Sequence, residues 1–295
     1  MQSEPTNEVS PTGPTSPART PDWAFIARWA LNEDDAERDV TTALLGAVAE
    51  RNVTGRFVAE EDCVVAGLPL VQAVFAEMDG ETVFDAHVKE GQIVHATASL
   101  AIVSGPARAV LGGERVALNF LQRLCGVASI TYRAVQGTRG TRAVVTDTRK
   151  TTPGLRDLEK YAVRIGGGVN HRRSLADAVL WKDNHWALLR ASGHALSEVV
   201  RNAPDGVPVQ VEVETEEQLT QALDAGVRFL LVDNQPPEVI ARWMERLGPG
   251  VTVEASGGIT PEQVAAYAQA GVHRISIGGL THSAPSASIK LEVDI

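Results

Sequence analysis

VQVEVETEEQLTQALDAGVRFLLVDNQPPEVIARWMERLGPGVTVEASGGITPEQVAAYAQAGVHRISIGG, residues 209–279, carries the fold in its rhythm. Short apolar strands at Val209–Glu214, Phe229–Asp233, Val251–Ala255 and Arg274–Ile277 alternate with helices that have readable ends. Thr215-x-x-Gln218 is a capping box and Gly226 closes that helix; Pro237–Leu247 forms the next. Thr260 as N-cap, Pro261 in the first turn and Gly271 just past the end mark the third. Upstream, the same alternation begins with strand Ala143–Asp147, helix Leu155–Ile165 and strand Ala178–Lys182. Such strands, separated by amphipathic helices, form a parallel sheet covered by helices, either a barrel or a doubly wound sheet. Nearly every strand ends on polar residues: Arg149/Lys150, Lys182/Asp183, Glu214, Asp233/Asn234, Ser256-Gly257-Gly258 and Gly278-Gly279. A barrel gathers all these ends on one face, where barrel enzymes place their sites, whereas an open sheet spreads them along a line. So many charged ends favour the barrel.

Before residue 127 the pattern is different. Asp22–Leu31 has helical spacing after an Asp cap; Val53–Ala59, Cys63–Ala66 and Gln92–Val103 read as short strands. Asp79-Gly80 and Glu90-Gly91 read as hairpin turns flanking a strand at Val83–Val88, and Glu114–Ala128 is an amphipathic helix. The expected organisation is a tail over 1–20, an α+β module over 21–126 and a barrel over 127–283. The final SASIKLEVDI, alternating like a strand, returns at 284–295 to the first module.

Hydrophobic content of 44% with 22% charged residues is that of a soluble globular chain. No apolar run reaches the length of a membrane span. The first twenty residues, rich in Pro, Ser and Thr, read as a disordered tail rather than a signal or transit peptide. Cys63 and Cys125 lie in apolar contexts and read as buried thiols of a reducing, cytoplasmic compartment. Residues 108–185 hold 14 Lys/Arg against 6 Asp/Glu in a chain of formal net charge −10. A cationic segment in an acidic chain points to a small, highly charged anion and away from nucleic acid.

The densest part is DTRKTTPGLRDLEKYAVRIGGGVNHRRSLADAVLWKDNH, Asp147–His185. Ion pairs on a solvated helix face account for its middle, but not for Arg149, Lys150 and Lys182 at strand ends. With Arg172, and His171 near, they form a cage for more than one carboxylate; Arg fixes a planar acid bidentately and Lys supplies a compact charge. Either glycine pair, Ser256-Gly257-Gly258 or Gly278-Gly279, alone is explained by a tight turn. Two in succession after the last strands favour a phosphate bound through backbone N–H groups. Glu214 and Asp233, acidic ends of neighbouring strands, suit Mg²⁺ or a developing cation, with hydrogen bonding to loop backbones or pairing with nearby lysines as the plain alternative. Glu212 shares a strand face with Glu214, so either is a candidate inward ligand. No Cys/His spacing suggests zinc, there is no Ser/His/Asp elbow or Rossmann fingerprint, and Gly166-Gly167-Gly168 reads as a turn.

At these residues the chain resembles the quinolinate phosphoribosyltransferase family, also called carboxylating nicotinate-nucleotide pyrophosphorylases. Asp147–His185 is similar to the family signature almost residue for residue; ERVALNFLQRLCGVA, NEDDAERDVTT, VEVE, LVDN, EASGGI and ISIGGLTHSAP continue the series. The resemblance implies an N-terminal α/β sandwich domain plus an open parallel α/β barrel of type II phosphoribosyltransferase kind. It implies transfer of the phosphoribosyl group of PRPP to quinolinate with loss of CO₂, giving nicotinate mononucleotide and pyrophosphate in NAD biosynthesis. By the matching motifs, quinolinate lies on Thr148, Arg149, Lys150, His171, Arg172 and Lys182, with Arg115 reaching in from a partner subunit. Glu214 and Asp233 serve ribose and Mg²⁺, the metal held mostly through PRPP and water, and Ser256, Gly257, Gly258, Gly278 and Gly279 surround the 5′-phosphate. Lys150, Lys182, Glu214 and Asp233 are the implied catalytic set. The implied assembly is a homodimer with shared sites or a hexamer built from such dimers.

Some positions depart from the family pattern. Arg38 replaces a usual glycine, Cys125 a serine, Ser174 a glycine, Trp181 a small aliphatic, Gln235 a bulky apolar residue and Ser288 an aspartate. Trp181 is expected to point opposite to Lys182, away from the site. Three other readings compete: a related transferase acting on another aromatic acid, a Schiff-base aldolase with Lys182 as nucleophile, and a non-catalytic ligand sensor.

Overall fold

The computed structural model of the protein describes Thr15 and residues 18–294, and Asp22 opens its first helix. Asp22 Oδ1 accepts the N–H of Phe25 at 3.0 Å and so caps α1 (Trp23–Glu33). A short α2 (Val40–Ala43) follows, capped in the same way by Asp39, and then β1 (Asn52–Ala59) and β2 (Cys63–Val64). Sequence patterning missed the next element, α3 (Leu68–Met78). It is apolar on most sides, and its N-terminal N–H groups are capped from far along the chain. The Glu90 carboxylate accepts from Gly67 N at 3.0 Å and Leu68 N at 2.8 Å. Asp79-Gly80 therefore follows a helix rather than turning a hairpin, and β3 (Val83–Ala86) comes after it.

The single strand expected over Gln92–Val103 is two, β4 (Ile93–Val94) and β5 (Ser99–Pro106), broken where Thr97 turns to φ 74°. The helix expected over Glu114–Ala128 is the middle of α4, a 30-residue helix from Ala107 to Gln136. Within it Gly113 lies so near Phe75 of α3 that a Cβ there would come within 2.9 Å of the ring. Close helix packing, not a turn, is what this glycine serves. The antiparallel sheet of this unit runs in the order C-terminal strand (Ile289–Asp294), β1, β5, β3, so the chain end does return to the first module. Phe57 of β1 meets Phe75 of α3 edge-on at 6.0 Å, joining sheet to helix.

The second unit opens with β6 (Val144–Thr146). After α5 (Arg156–Ile165) come β7 (Val179–Trp181), α6 (Asp183–Ser192) and α7 (Leu196–Arg201). Neither α6 nor α7 was foreseen. Then β8 (Val209–Val213), α8 (Glu216–Asp224), β9 (Phe229–Asp233), α9 (Pro237–Arg246) and β10 (Thr252–Ser256) follow the expected alternation. The last helix before β11 (Arg274–Ser276) starts as a 3₁₀ turn at Pro261–Gln263 and continues as α10 (Val264–Gln269); α11 (Gly279–His282) precedes the C-terminal strand, β12. Thr215 and Gln218 make the predicted capping box, at 3.2 and 3.3 Å. All six strands are parallel in the order β6-β11-β10-β9-β8-β7. Among the described residues β6 and β7 do not pair, so the barrel is open; beside β6 lies Val169, bridged to Thr146.

By their contacts, residues 19–132, 152–167 and the segment from Ser283 form one unit, and 133–151 with 168–282 the other, so the division falls inside α4. Of the tail read as disordered, residues 1–14, 16 and 17 lie outside the described residues. Thr15 pairs antiparallel with His171 and is thus tied to the barrel unit rather than free of it.

Candidate active site

The strand ends of the barrel enclose a cavity of about 730 Å³. Thr148, Arg149, Lys150, His171, Arg172, Lys182, Glu214, Asp233, Ser256, Gly257, Gly258, Gly278 and Gly279 all line it. Arg115 does not; it is exposed on α4. Trp181 is also absent from the lining, its ring 5.1 Å from that of His185.

Arg149 and Arg172 dominate the cationic side. Arg172 is only 6% exposed; its Nη1 donates to Ala178 O at 2.7 Å. The Nε of each guanidinium is buried without a hydrogen-bond partner. Burial pushes the Arg172 pKa down, nearby Arg149 pushes it further, and Asp177 opposes both. A buried guanidinium beside a second, half-buried one is unfavourable unless an anion joins them. Asp177 also holds the loop after Arg172: its carboxylate accepts from Arg173 N at 2.8 Å, Ser174 N at 3.0 Å and Ser174 Oγ at 2.6 Å. The Ser174 hydroxyl thus adds a side-chain bond to that loop. Lys150 is exposed, while Lys182 pairs with Glu212.

That pairing separates the two acidic candidates on β8. Glu212 is buried against Lys182 and Glu214 is exposed at the mouth. One oxygen from each of Glu212, Glu214 and Asp233 lies within 4.8 Å of the others. Two direct ligands of Mg²⁺, at about 2.1 Å each, stand at most about 4.2 Å apart. The hard oxygen set therefore fits Mg²⁺ with some ligands supplied by water or substrate. Asn234, at φ 55°, donates to Asp233 Oδ2 at 2.7 Å. Opposite it Gly257 has φ 101°, and a Cβ there would lie 2.4 Å from Asn234 Oδ1, so no other residue fits.

Beneath the mouth lies a buried polar chain that sequence reasoning missed. Arg172 N donates to His171 Nδ1 at 2.8 Å, and the other ring nitrogen, Nε2, lies 3.1 Å from Gln210 Oε1. Gln210 Nε2 donates to Glu254 Oε2 at 3.1 Å, and Arg274 Nε lies 3.0 Å from the same oxygen. Burial alone would raise the Glu254 pKa. His171 and Arg274 beside it, with the hydrogen bonds from His171 and Gln210, outweigh burial and hold it below the ordinary carboxylate range. His171 therefore lines the cavity with both ring nitrogens engaged inside the protein. The signal for this chain was Gln210 two residues before Glu212, which puts both on one face of β8. Asp147 acts as a second buried support, accepting from Asn170 Nδ2 at 2.6 Å and His171 N at 2.9 Å.

Fold and site together define a barrel enzyme that handles small, highly charged anions. Family models of quinolinate phosphoribosyl transferase match twice, the C-terminal domain over residues 127–292 and the N-terminal domain over 39–125. The chain belongs to the quinolinate phosphoribosyl transferase family. A Bacillus subtilis protein named probable nicotinate-nucleotide pyrophosphorylase (carboxylating) is 40% identical over 263 residues, 89% of this chain and 90% of its own length. The nicotinate-nucleotide pyrophosphorylase (carboxylating) of Mycobacterium leprae is 40% identical over 273 residues, 90% of this chain and 95% of its own. The solved nicotinate-nucleotide pyrophosphorylase of Francisella tularensis superposes with a TM-score of 0.86 at 31% identity, covering 96% of this chain and 100% of that one.

Proposed function

We propose that the protein transfers the phosphoribosyl group of PRPP to the nitrogen of quinolinate and releases CO₂, giving nicotinate mononucleotide and pyrophosphate for NAD biosynthesis. The observation that carries this reading is the Arg149–Arg172 pair in the same cavity as the acidic Glu212, Glu214 and Asp233. The guanidiniums and Lys150 bind and orient a planar dicarboxylate. The acidic set lies where positive charge builds on the ribose as pyrophosphate departs, and stabilises it. The ribosylated pyridinium then stabilises the electron pair left at C2 as the C2–carboxylate bond breaks and CO₂ departs, and C2 takes up a proton, ultimately from solvent, to give the C2–H of the product. Ser256–Gly258 and Gly278–Gly279 offer backbone N–H groups to the 5′-phosphate. Glu214 and Asp233 would hold Mg²⁺, mostly through PRPP oxygens and water; when bound, the metal offsets the charge of the leaving pyrophosphate. Lys182 is ion-paired with Glu212 on the floor of the same cavity.

The deciding assay is CO₂ release from quinolinate with PRPP and Mg²⁺, run beside nicotinate and other pyridine carboxylates. Turnover of a different acid and not of quinolinate would overturn the substrate. Asp233→Asn is expected to lower turnover more than it weakens quinolinate binding, and to raise the Mg²⁺ concentration needed. An unchanged Mg²⁺ response with selectively weaker quinolinate binding would reverse that assignment.

The same reading includes a cytoplasmic homodimer with Arg115 acting across the interface. Both cysteines are free thiols, as a reducing compartment leaves them, and no described helix is long and apolar enough to cross a membrane. Arg115→Ala and Lys150→Ala chains should each be nearly inactive. Refolded together in equal amounts, they should recover roughly a quarter of wild-type activity, because half the dimers are mixed and each mixed dimer has one intact site. Mixed dimers that form yet stay inactive would remove Arg115 from the neighbouring site.

A further inference from the structure

Gln235 has no part in the roles above, yet it touches the backbone of Glu214. β8 ends at Val213, so Glu214 lies just beyond the ladder and no strand neighbour fixes it. Two side-chain amides hold it instead. Gln218 Oε1 accepts the N–H of Glu214 at 2.8 Å, and Gln235 Nε2 donates to the C=O of Glu214 at 2.9 Å. Gln218 belongs to the helix that follows Glu214. Gln235 belongs to the loop after β9, two residues past Asp233, and so crosses from one acidic strand end to the other. That loop is itself anchored, since Asn234 N donates to Ser256 O at 3.0 Å.

The two acids need such a tie. Glu212 has Lys182 for a counter-ion, but neither Glu214 nor Asp233 makes an ion pair among the described residues. Their like charges favour separation. We propose that Gln235 is a positioning residue that ties the Glu214 loop to the Asp233 loop and holds the acid pair at the spacing a divalent cation and its phosphorylated ligand require. This rests on the phosphoribosyl-transfer reading of the site.

The test compares the wild-type protein with Gln235→Met and Gln235→Leu, using Mn²⁺ as a paramagnetic substitute for Mg²⁺. Loss of one neutral hydrogen bond is expected to weaken Mn²⁺–PRPP binding, read by electron paramagnetic resonance without quinolinate, about three- to tenfold. Binding of quinolinate alone should stay within about twofold of wild type, and saturating Mg²⁺ should restore most of the turnover. A merely structural role would not separate these readouts. If wild type binds Mn²⁺–PRPP and the folded variants match it, the Gln235 assignment fails alone. If wild type binds none, the reading of the site fails and the proposal falls with it.

Discussion

Replacing Arg172 by alanine is expected to cut kcat/KM for quinolinate by two orders of magnitude or more while leaving the ligand-free protein as stable as before, or more stable. The first half follows from a charge-assisted contact in a largely dry site, which is worth about 3–5 kcal/mol when one partner is removed. The second half follows from the state of the empty site. Arg172 is buried, its Nε has no partner, and Arg149 repels it. Its acceptor Ala178 O and the nearby Asp177 offset only part of that cost. Removing a residue kept for a ligand should therefore relieve strain that the ligand normally relieves. Steady-state kinetics and thermal melts of Arg172→Ala and Arg172→Lys check both halves. Lys keeps the charge but not the bidentate fork, so it should recover only part of the activity. A large fall in melting temperature with near-normal kinetics would make Arg172 a structural residue.

Glu254→Leu is expected to destabilise the fold by about 3–5 kcal/mol, because it strips a buried guanidinium of its carboxylate. Arg274 is 1% exposed, and Glu254 is its ion-pair partner at 3.0 Å. Removing both charges together, in Glu254→Leu with Arg274→Leu, should regain most of the loss. Urea unfolding at neutral pH measures both, and a single-variant loss below about 1 kcal/mol would contradict the burial argument. The pair also sets an acid response. Its folded-state pKa lies below the ordinary value because His171 and Arg274 outweigh burial. The stabilisation is thus fully present above the unfolded pKa of about 4.3 and is lost as pH falls through the folded value. Wild type should lose stability more steeply below about pH 4 than Glu254→Gln does.

The barrel was legible because each of its later strands is short, apolar and followed by a capped helix, as at Thr215-x-x-Gln218. The mouth was legible because strand ends are polar, which is how Arg149, Lys182, Glu214 and Asp233 stood out. Other features were hidden for physical reasons. α3 has little polar face and takes its cap from Glu90, 22 residues beyond Leu68. The start of α4 was masked by Gly112-Gly113, whose purpose is close contact with α3. The floor of the cavity escaped because Gln210, Glu254 and Arg274 sit inside strands, where a polar or charged side chain reads as solvent-facing until the barrel closes around it. Gln235 escaped because one hydrogen bond between loops leaves no periodic trace.

The pairing of β12 with β1 has a consequence for how the chain is made. Thr54 lies opposite Asp294, so the outer edge of β1 is covered by a segment synthesised more than 200 residues after it. At roughly 5–20 residues per second, that edge stays bare for on the order of ten to fifty seconds after β1 is synthesised. An uncovered strand edge is a template for pairing with another nascent chain. Deleting the segment from Ile289 should make that interval permanent, so the truncated chain is expected to collect in aggregates during expression even though no residue of the barrel mouth has been touched.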